Sequence, residues 1–393
     1  MRNLYLFVIF LVIYEFGTYV SNDMIMPGML SVVNEFHAPI EYVSISLTVY
    51  ILGNSLLQLF LGPLSERYGK RIVILVGVTL FMIFTIFLVM ATNMMQFMFG
   101  RLLQGSSVAY VAMGYALVHE RFNDKQSVKI MSLMGNVSLL APLIGPVIGV
   151  AIIQLFNWRY VFIITGILAF ISFIGLYIYT PKDIIKPSKI NVKNTIRSYI
   201  KILCIPHFIV GILCVSLGAL TIMSWIGLAP TIIIKTLNLS MKNYSIYQLI
   251  AIGGLSLSTI VMHIIAGRIS FNHLLKVCSC LVFLGLTIAL IFNSNINIVV
   301  FAMFLSNFGV GIFNTLAMRL VMTVPNLPQE LISSLMIFIL TIILAFGLEL
   351  ANHIISYLNY SLYGFTLINF VIGCFFIILA NIYAHMNKHK GWN

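Results

Sequence analysis

Residues 72–91 read IVILVGVTLFMIFTIFLVMA, twenty positions without a charge. At about 1.5 Å rise per residue such a helix is roughly 30 Å long, the thickness of a bilayer's hydrocarbon core. A membrane barrel strand would alternate apolar and polar over about ten residues, and this run does not alternate. Lipid offers no partner to backbone N–H and C=O groups, so an unbroken apolar run of this length reads as one transmembrane helix.

The pattern repeats outward in both directions. The chain has 393 residues, 61% hydrophobic and 8% charged, against about 25% charged in soluble domains. No soluble interior of this size hides so much apolar side chain. Spans are expected at roughly 4–21, 41–62, 72–91, 97–119, 127–155, 160–180, 207–236, 244–267, 273–292, 297–322, 331–357 and 361–384. The expected fold class is an all-α membrane protein with twelve transmembrane helices. One long connection, 181–206, carries Lys182, Lys186, Lys189, Lys193, Arg197 and Lys201 with Pro181, Pro187 and Pro206. It separates an N-terminal six-helix half (1–180) from a C-terminal one (207–393).

The net charge of +12 sits in short loops, so it encodes orientation and not nucleic-acid binding. Seventeen basic residues fall on the side of the termini: Arg2, Arg67, Lys70, Arg71, Arg121, Lys125, Lys129, the linker six, Arg268, Lys276, Lys388 and Lys390. The opposite loops hold three, Arg159, Lys235 and Lys242. This asymmetry predicts cytoplasmic termini and a cytoplasmic linker. Cys204, Cys214, Cys278, Cys280 and Cys374 lie in or beside apolar segments and are expected to be buried, inert thiols, with no metal site. The first run contains Glu15 and no small-residue cleavage site, so it reads as a span and not a signal peptide.

Charges inside spans are costly and mark wet cavities or ion paths. Glu15 lies near mid-span and Asp23 follows eight residues on, a little over two turns, so the two share a direction. Arg101 enters the fourth span at a depth suited to pairing with Asp23. Arg319 reads first as a snorkelling residue, and Glu349 divides between cavity and interface. His119, His263 and His353 sit near span ends and read as solvated or satisfied. Burial and a neighbouring arginine move a carboxylate's proton affinity in opposite senses. A carboxylate of alternating exposure is thus the minimum equipment for proton coupling. No G-x-x-x-x-G-K-[ST] loop is present, which argues against ATP as the driver.

Three further stretches carry motifs. Gly62-Pro-Leu-Ser-Glu66-Arg67-Tyr-Gly69-Lys-Arg71 follows the second span. Arg101-Leu-Leu-Gln104-Gly105 lies in the fourth. Ala141-Pro142-Leu-Ile-Gly145-Pro146-Val-Ile-Gly149 lies in the fifth, where small residues every fourth place allow close helix packing and two prolines bend the helix. The first resembles the cytoplasmic loop signature of the major facilitator superfamily, with Glu66 where an aspartate is usual. The second resembles its fourth-span proton-coupling motif, and the third its antiporter signature. With Tyr14-Glu15-Phe-Gly-Thr-Tyr19, Asn22-Asp23-Met-Ile-Met-Pro27-Gly28, Trp225–Pro230 and Asn314–Arg319, the chain is similar along its length to the MdfA-type multidrug/proton antiporters of bacterial inner membranes.

That resemblance implies two six-helix halves around a central cavity. It implies proton and cationic-drug recognition at Glu15 and Asp23, modulated by Arg101. A drug-lining set of Tyr19, Asn22, Leu47, Met134, Asn136 and Ser138 is carried over with it, and Arg319 matches a family arginine. The expected function is proton-coupled export of lipophilic cationic or neutral compounds by a monomer in the bacterial inner membrane. Its partners are small molecules, protons and lipid, with no cofactor and no nucleic acid. Two alternatives stand beside it. A dedicated metabolite or siderophore carrier, importing or exporting, would use the same scaffold. A non-transporting receptor or assembly factor would not need the buried acids. No nucleophile–base pair suggests an enzyme.

Overall fold

A computed structural model of the chain describes residues 2–182, 192–265, 269–323 and 329–387. All regular structure in these residues is helical. Helices α1 (Arg2–Ile25) and α2 (Met29–Glu35) are joined by a 3-10 turn, Met26–Gly28. Then come α3 (Tyr42–Gln58), α4 (Leu61–Tyr68), α5 (Lys70–Val89) and α6 (Met94–Ser106). A second 3-10 turn, Ser107–Tyr110, leads to α7 (Val111–Arg121), α8 (Asp124–Leu155), α9 (Arg159–Tyr179) and α10 (Val192–Leu203). Helix α11 (Pro206–Pro230) runs into a π turn, Thr231–Thr236. The remainder is α12 (Met241–Ile265), α13 (Phe271–Ile291), α14 (Ile296–Val321), α15 (Gln329–Tyr357) and α16 (Leu362–Asn387).

Among the described residues, nine helical stretches are long and apolar enough to cross a bilayer, or eleven if two bent pairs each count as one. One pair is α3 with α4, bent by 49°; the other lies within α8, where Lys129–Ser138 and Leu140–Leu155 differ by 41°. Pro142 lacks the N–H that would bond the Ser138 carbonyl, and Pro146 repeats the defect one turn on, which accounts for the bend. The stretch from α6 through α7 is interrupted by its 3-10 turn and holds Arg101. Counted as a span, it makes twelve, the number expected from the sequence.

The first span corrects its expected end. Helical structure continues past residue 21 to Glu35, over Asn3–Glu35. Pro27 sits at the start of the 3-10 turn, where its missing N–H costs nothing, so the proline does not end the span. The expected linker also contains a twelve-residue helix, α10. Lys186, Pro187, Lys189, Arg268, Lys388 and Lys390 lie outside the described residues.

The chain divides into two compact units, residues 1–42 with 46–192, and 43–45 with 193–393. In the first, α1 packs against α8 and α9, and α5 against α6 and α9. Its core gathers Phe7, Leu11, Tyr14, Phe81, Leu117 and Met134. In the second, α14 packs against α12 and α13, and α11 against α14, α15 and α16. Ile86, Phe170, Phe301 and Phe346 are each more than half exposed, the surface a bilayer would cover. Cys214 and Cys278 are buried, but Cys204 and Cys280 are exposed, against expectation. Cys204 follows the end of α10, and Cys280 shares an exposed apolar stripe of α13 with Val277, Leu284 and Ile291.

Candidate functional site

Polar residues inside apolar helices persist where they find partners. In the first unit they form two groups on α1, about 12 Å apart by helical rise. Glu15 is fully buried. Its Oε1 accepts hydrogen bonds from the Tyr115 hydroxyl at 2.7 Å and the Ser138 hydroxyl at 3.1 Å. Its Oε2 is buried with no hydrogen-bond partner among the described residues. Tyr19, one turn on from Glu15, lies beside Ser138 and the Glu15 carboxyl.

Asp23 is 6% exposed, within the helix and not at a solvated cap. Its Oδ1 accepts from the Asn22 amide at 3.3 Å. The Asn22 Oδ1 in turn accepts from Arg101. Arg101 is fully buried and donates further to Ser46 Oγ at 3.3 Å and Gln104 Oε1 at 2.9 Å. Its guanidinium lies 4.3 Å from the Tyr50 ring centroid, a cation–π arrangement. The direct Arg101–Asp23 pair expected from the sequence is not formed. Ion pairs within 4 Å among the described residues are Lys70–Glu120 and Arg159–Glu35, and Asn22 stands between Arg101 and Asp23. The network continues from Gln104 Nε2 to Thr85 Oγ1 at 2.9 Å and Ser21 Oγ at 3.3 Å.

Helix α8 is the common wall of both groups. Ser138 meets Glu15, and one bend later Gly145 lies so close to α1 that a Cβ there would come within 2.9 Å of the Asp23 Cβ. At Gly149 a Cβ would collide with the Met24 carbonyl oxygen. The small residues thus let α8 seat directly on the Asp23 turn, between Pro142 and Pro146 on one side and Gly149 on the other. Two tyrosines fix α1 in place: its own Tyr14 donates to the Ser107 carbonyl at 2.7 Å, and Tyr50 of α3 donates to the Thr18 carbonyl at 2.6 Å.

Of the remaining expected residues, Asn22 and Leu47 are buried, at 8% and 1% exposure. Met134 is enclosed in the hydrophobic core, and Asn136 is exposed; neither takes part in the hydrogen bonds around Glu15. In the loop motif, Gly62 is half-buried on α4, and Gly69 has φ 88, a conformation that favours glycine and lets α4 turn into α5. Glu66 and Arg67 are exposed. No ion pair among the described residues includes Glu66. The neighbouring bases are engaged instead: Lys70 with Glu120, and Arg71 with the Tyr177 carbonyl at 2.7 Å. Arg319 is exposed on α14, its guanidinium 5.5 Å from the Phe271 ring centroid, as a snorkelling side chain lies. Glu349 is half-buried on α15. Among the described residues no three His, Cys, Asp or Glu side chains cluster as metal ligands.

Residues 11–348 match the family described as Major Facilitator Superfamily. The chain belongs to that superfamily. It is a multi-pass membrane transporter, and its relatives extend over its whole length. "Multidrug transporter MdfA" of Yersinia pestis bv. Antiqua (strain Angola) is 34% identical over 388 residues, covering 97% of this chain and 94% of the relative. The protein of the same name from Escherichia coli O157:H7 is 34% identical over 400 residues, covering 99% and 97%. Among solved structures, a D-xylose–proton symporter superposes with a TM-score of 0.75 at 14% identity, covering 95% of this chain and 97% of that one. A bacterial homologue of the human lysosomal transporter Spinster gives 0.73 at 11%, covering 98% and 96%. At those identities the likeness is one of fold.

Sequence reasoning missed Tyr115, Ser46 and Tyr50 as partners of the superfamily member's buried charges, and Thr85 as a partner of Gln104. Each is an uncharged polar or aromatic residue in an apolar helix, and nothing in its spacing to Glu15 or Arg101 distinguishes it from core. Gln104 lay inside a quoted motif but without a role.

Proposed function

We propose that this chain exports lipophilic cationic and neutral drugs from the cytoplasm in exchange for protons, at Glu15 and Asp23. It resides in the bacterial inner membrane with both termini cytoplasmic. The observation that carries the reading is the pair of buried carboxylates on α1, both facing α8 and neither, among the described residues, within ion-pair distance of a base. Full-length similarity to proteins named multidrug transporters supports the substrate class.

The chemistry follows from the two sites. Glu15 Oε2 is the open position: a proton or a drug cation there answers the cost of an unpaired buried acceptor. Asp23 has a single amide donor from Asn22 and a guanidinium one residue further away. A proton taken up on one side of the membrane, and displaced by substrate on the other, couples the two flows. Tyr19 and Leu47 supply aromatic and aliphatic contact, which favours breadth over selectivity. Protons are the coupling ion, and no cofactor is required.

The test is proton release from purified protein in detergent on adding a lipophilic cation or chloramphenicol. Wild type is expected to release protons, and Asp23→Asn to release fewer. Silence of the wild type across a broad compound panel would sink the drug assignment. Intact proton-driven efflux in a Glu15→Gln/Asp23→Asn double variant would sink the coupling sites.

A further inference from the structure

Helix α10, between spans α9 and α11, presents an uncovered apolar stripe. Ile196, Ile200 and Leu203 are 52%, 56% and 43% exposed, at spacings of four and three that place them on one helical face. Arg197 and Lys201, also exposed, follow Ile196 and Ile200 by one residue and so flank the stripe along one edge. Ile202, on the other side, is fully enclosed. The helix therefore rests one side on protein and turns the stripe and its basic edge outward.

Its position is constrained by the chain. Only Cys204 and Ile205 separate α10 from Pro206, where the membrane span α11 begins. The three extended steps from Leu203 to Pro206 reach at most about 11 Å, so the end of α10 cannot leave the vicinity of the membrane surface. An apolar stripe of three branched side chains, beside two cations on long stems, is complementary to one surface available there. The aliphatic side chains fit the boundary of headgroups and acyl chains, and the basic side chains extend to headgroup phosphates. Water would leave the stripe uncovered, and a neutral headgroup layer would leave the cations without counter-charge.

We propose that α10 is an interfacial anchor that lies in the membrane surface and gathers anionic phospholipid through Arg197 and Lys201. It rests on α11 being a membrane span and is independent of which solute is carried. Such an anchor fixes the chain between α9 and α11 to the bilayer and makes its placement sensitive to lipid charge.

The test uses the full chain with its native cysteines replaced and a bimane fluorophore on Ile196→Cys, the end of the stripe far from α11. Nanodiscs contain phosphatidylcholine and phosphatidylglycerol in one fixed ratio, with brominated acyl chains on one lipid or the other. Bimane is expected to be quenched several-fold more strongly when phosphatidylglycerol carries the bromine, and weakly from Ser198→Cys on a different face. In Arg197→Gln/Lys201→Gln that headgroup preference is expected to be lost while acyl quenching persists. Absence of quenching at 196, equal quenching at 196 and 198, or no preference between lipids in the otherwise unaltered chain would each overturn the proposal. So would a preference that survives in the double variant.

Discussion

Arg101 is the most consequential single residue, because it is a fully buried guanidinium with neutral partners: Asn22, Ser46, Gln104 and the Tyr50 ring. Removing a partner from a buried charge costs about 1.5–3 kcal/mol, more than an ordinary hydrogen bond. Asn22→Ala is therefore expected to lower the thermal midpoint of the purified protein clearly. Asn136→Ala, at an exposed position, should leave it nearly unchanged, and equal shifts in the two would disprove the role given to Asn22. The charged residues were legible in the sequence because a charge in an apolar run has no bland explanation. Their partners were not. Asn22 displaced the expected Arg101–Asp23 pair because an amide is donor and acceptor at once, and only side-chain geometry says which residue lies between two charges.

At the scale of helices, the seating of α8 on α1 decides where Asp23 sits. Gly149→Ala would drive a methyl group into the Met24 carbonyl, and overpacking of this kind costs about 1–3 kcal/mol. Gly135, in the same helix, has open space where a Cβ would stand. Gly135→Ala is expected to be neutral or to stabilise by about 0.5–1 kcal/mol through helix propensity. Thermal unfolding of both variants checks the contrast, and matched effects would mean that the glycines of α8 do not seat it. The small-residue period was readable in advance, since every fourth residue falls on one face. The helix it faces was not, because any of several apolar spans would accept it. The end of the first span was misread for a related reason. Asn22, Asp23, Pro27 and Gly28 are helix-ending residues in isolation, yet Asn22 accepts from Arg101 and donates to Asp23, and the proline stands at the start of a 3-10 turn.

For the whole molecule, the seventeen-to-three bias of basic residues sets an expectation that thiol chemistry can check. Cys204 is exposed just after α10, whereas Cys280 is exposed near the middle of α13. A membrane-impermeant maleimide is expected to label Cys204 in inverted vesicles and not in right-side-out ones, and to label Cys280 in neither, because lipid excludes the polar reagent. Labelling of Cys204 from the outside would reverse the orientation. The ion pair of Arg159 and Glu35, at 2.6 Å, belongs to the same scale. Arg159 also donates to the Val89 and Ala91 carbonyls at 3.1 and 3.0 Å, and Trp158 Nε1 donates to Glu35 at 2.7 Å. These contacts hold α2, the end of α5 and the start of α9 together at one end of the first unit. The side chains are partly exposed, so the ion pair itself contributes on the order of 0–1 kcal/mol.

The sequence by itself determined the solvent, the secondary structure and the charged positions of interest. Apolar length and backbone self-sufficiency in lipid are local properties, read one segment at a time. Tertiary structure alone decided that Tyr115 and Ser138 hold Glu15, that Asn22 separates Arg101 from Asp23, and that Met134 belongs to the core. In helices this uniformly apolar, many rotations and neighbours satisfy the hydrophobic pattern equally. Close packing of particular side chains selects among them.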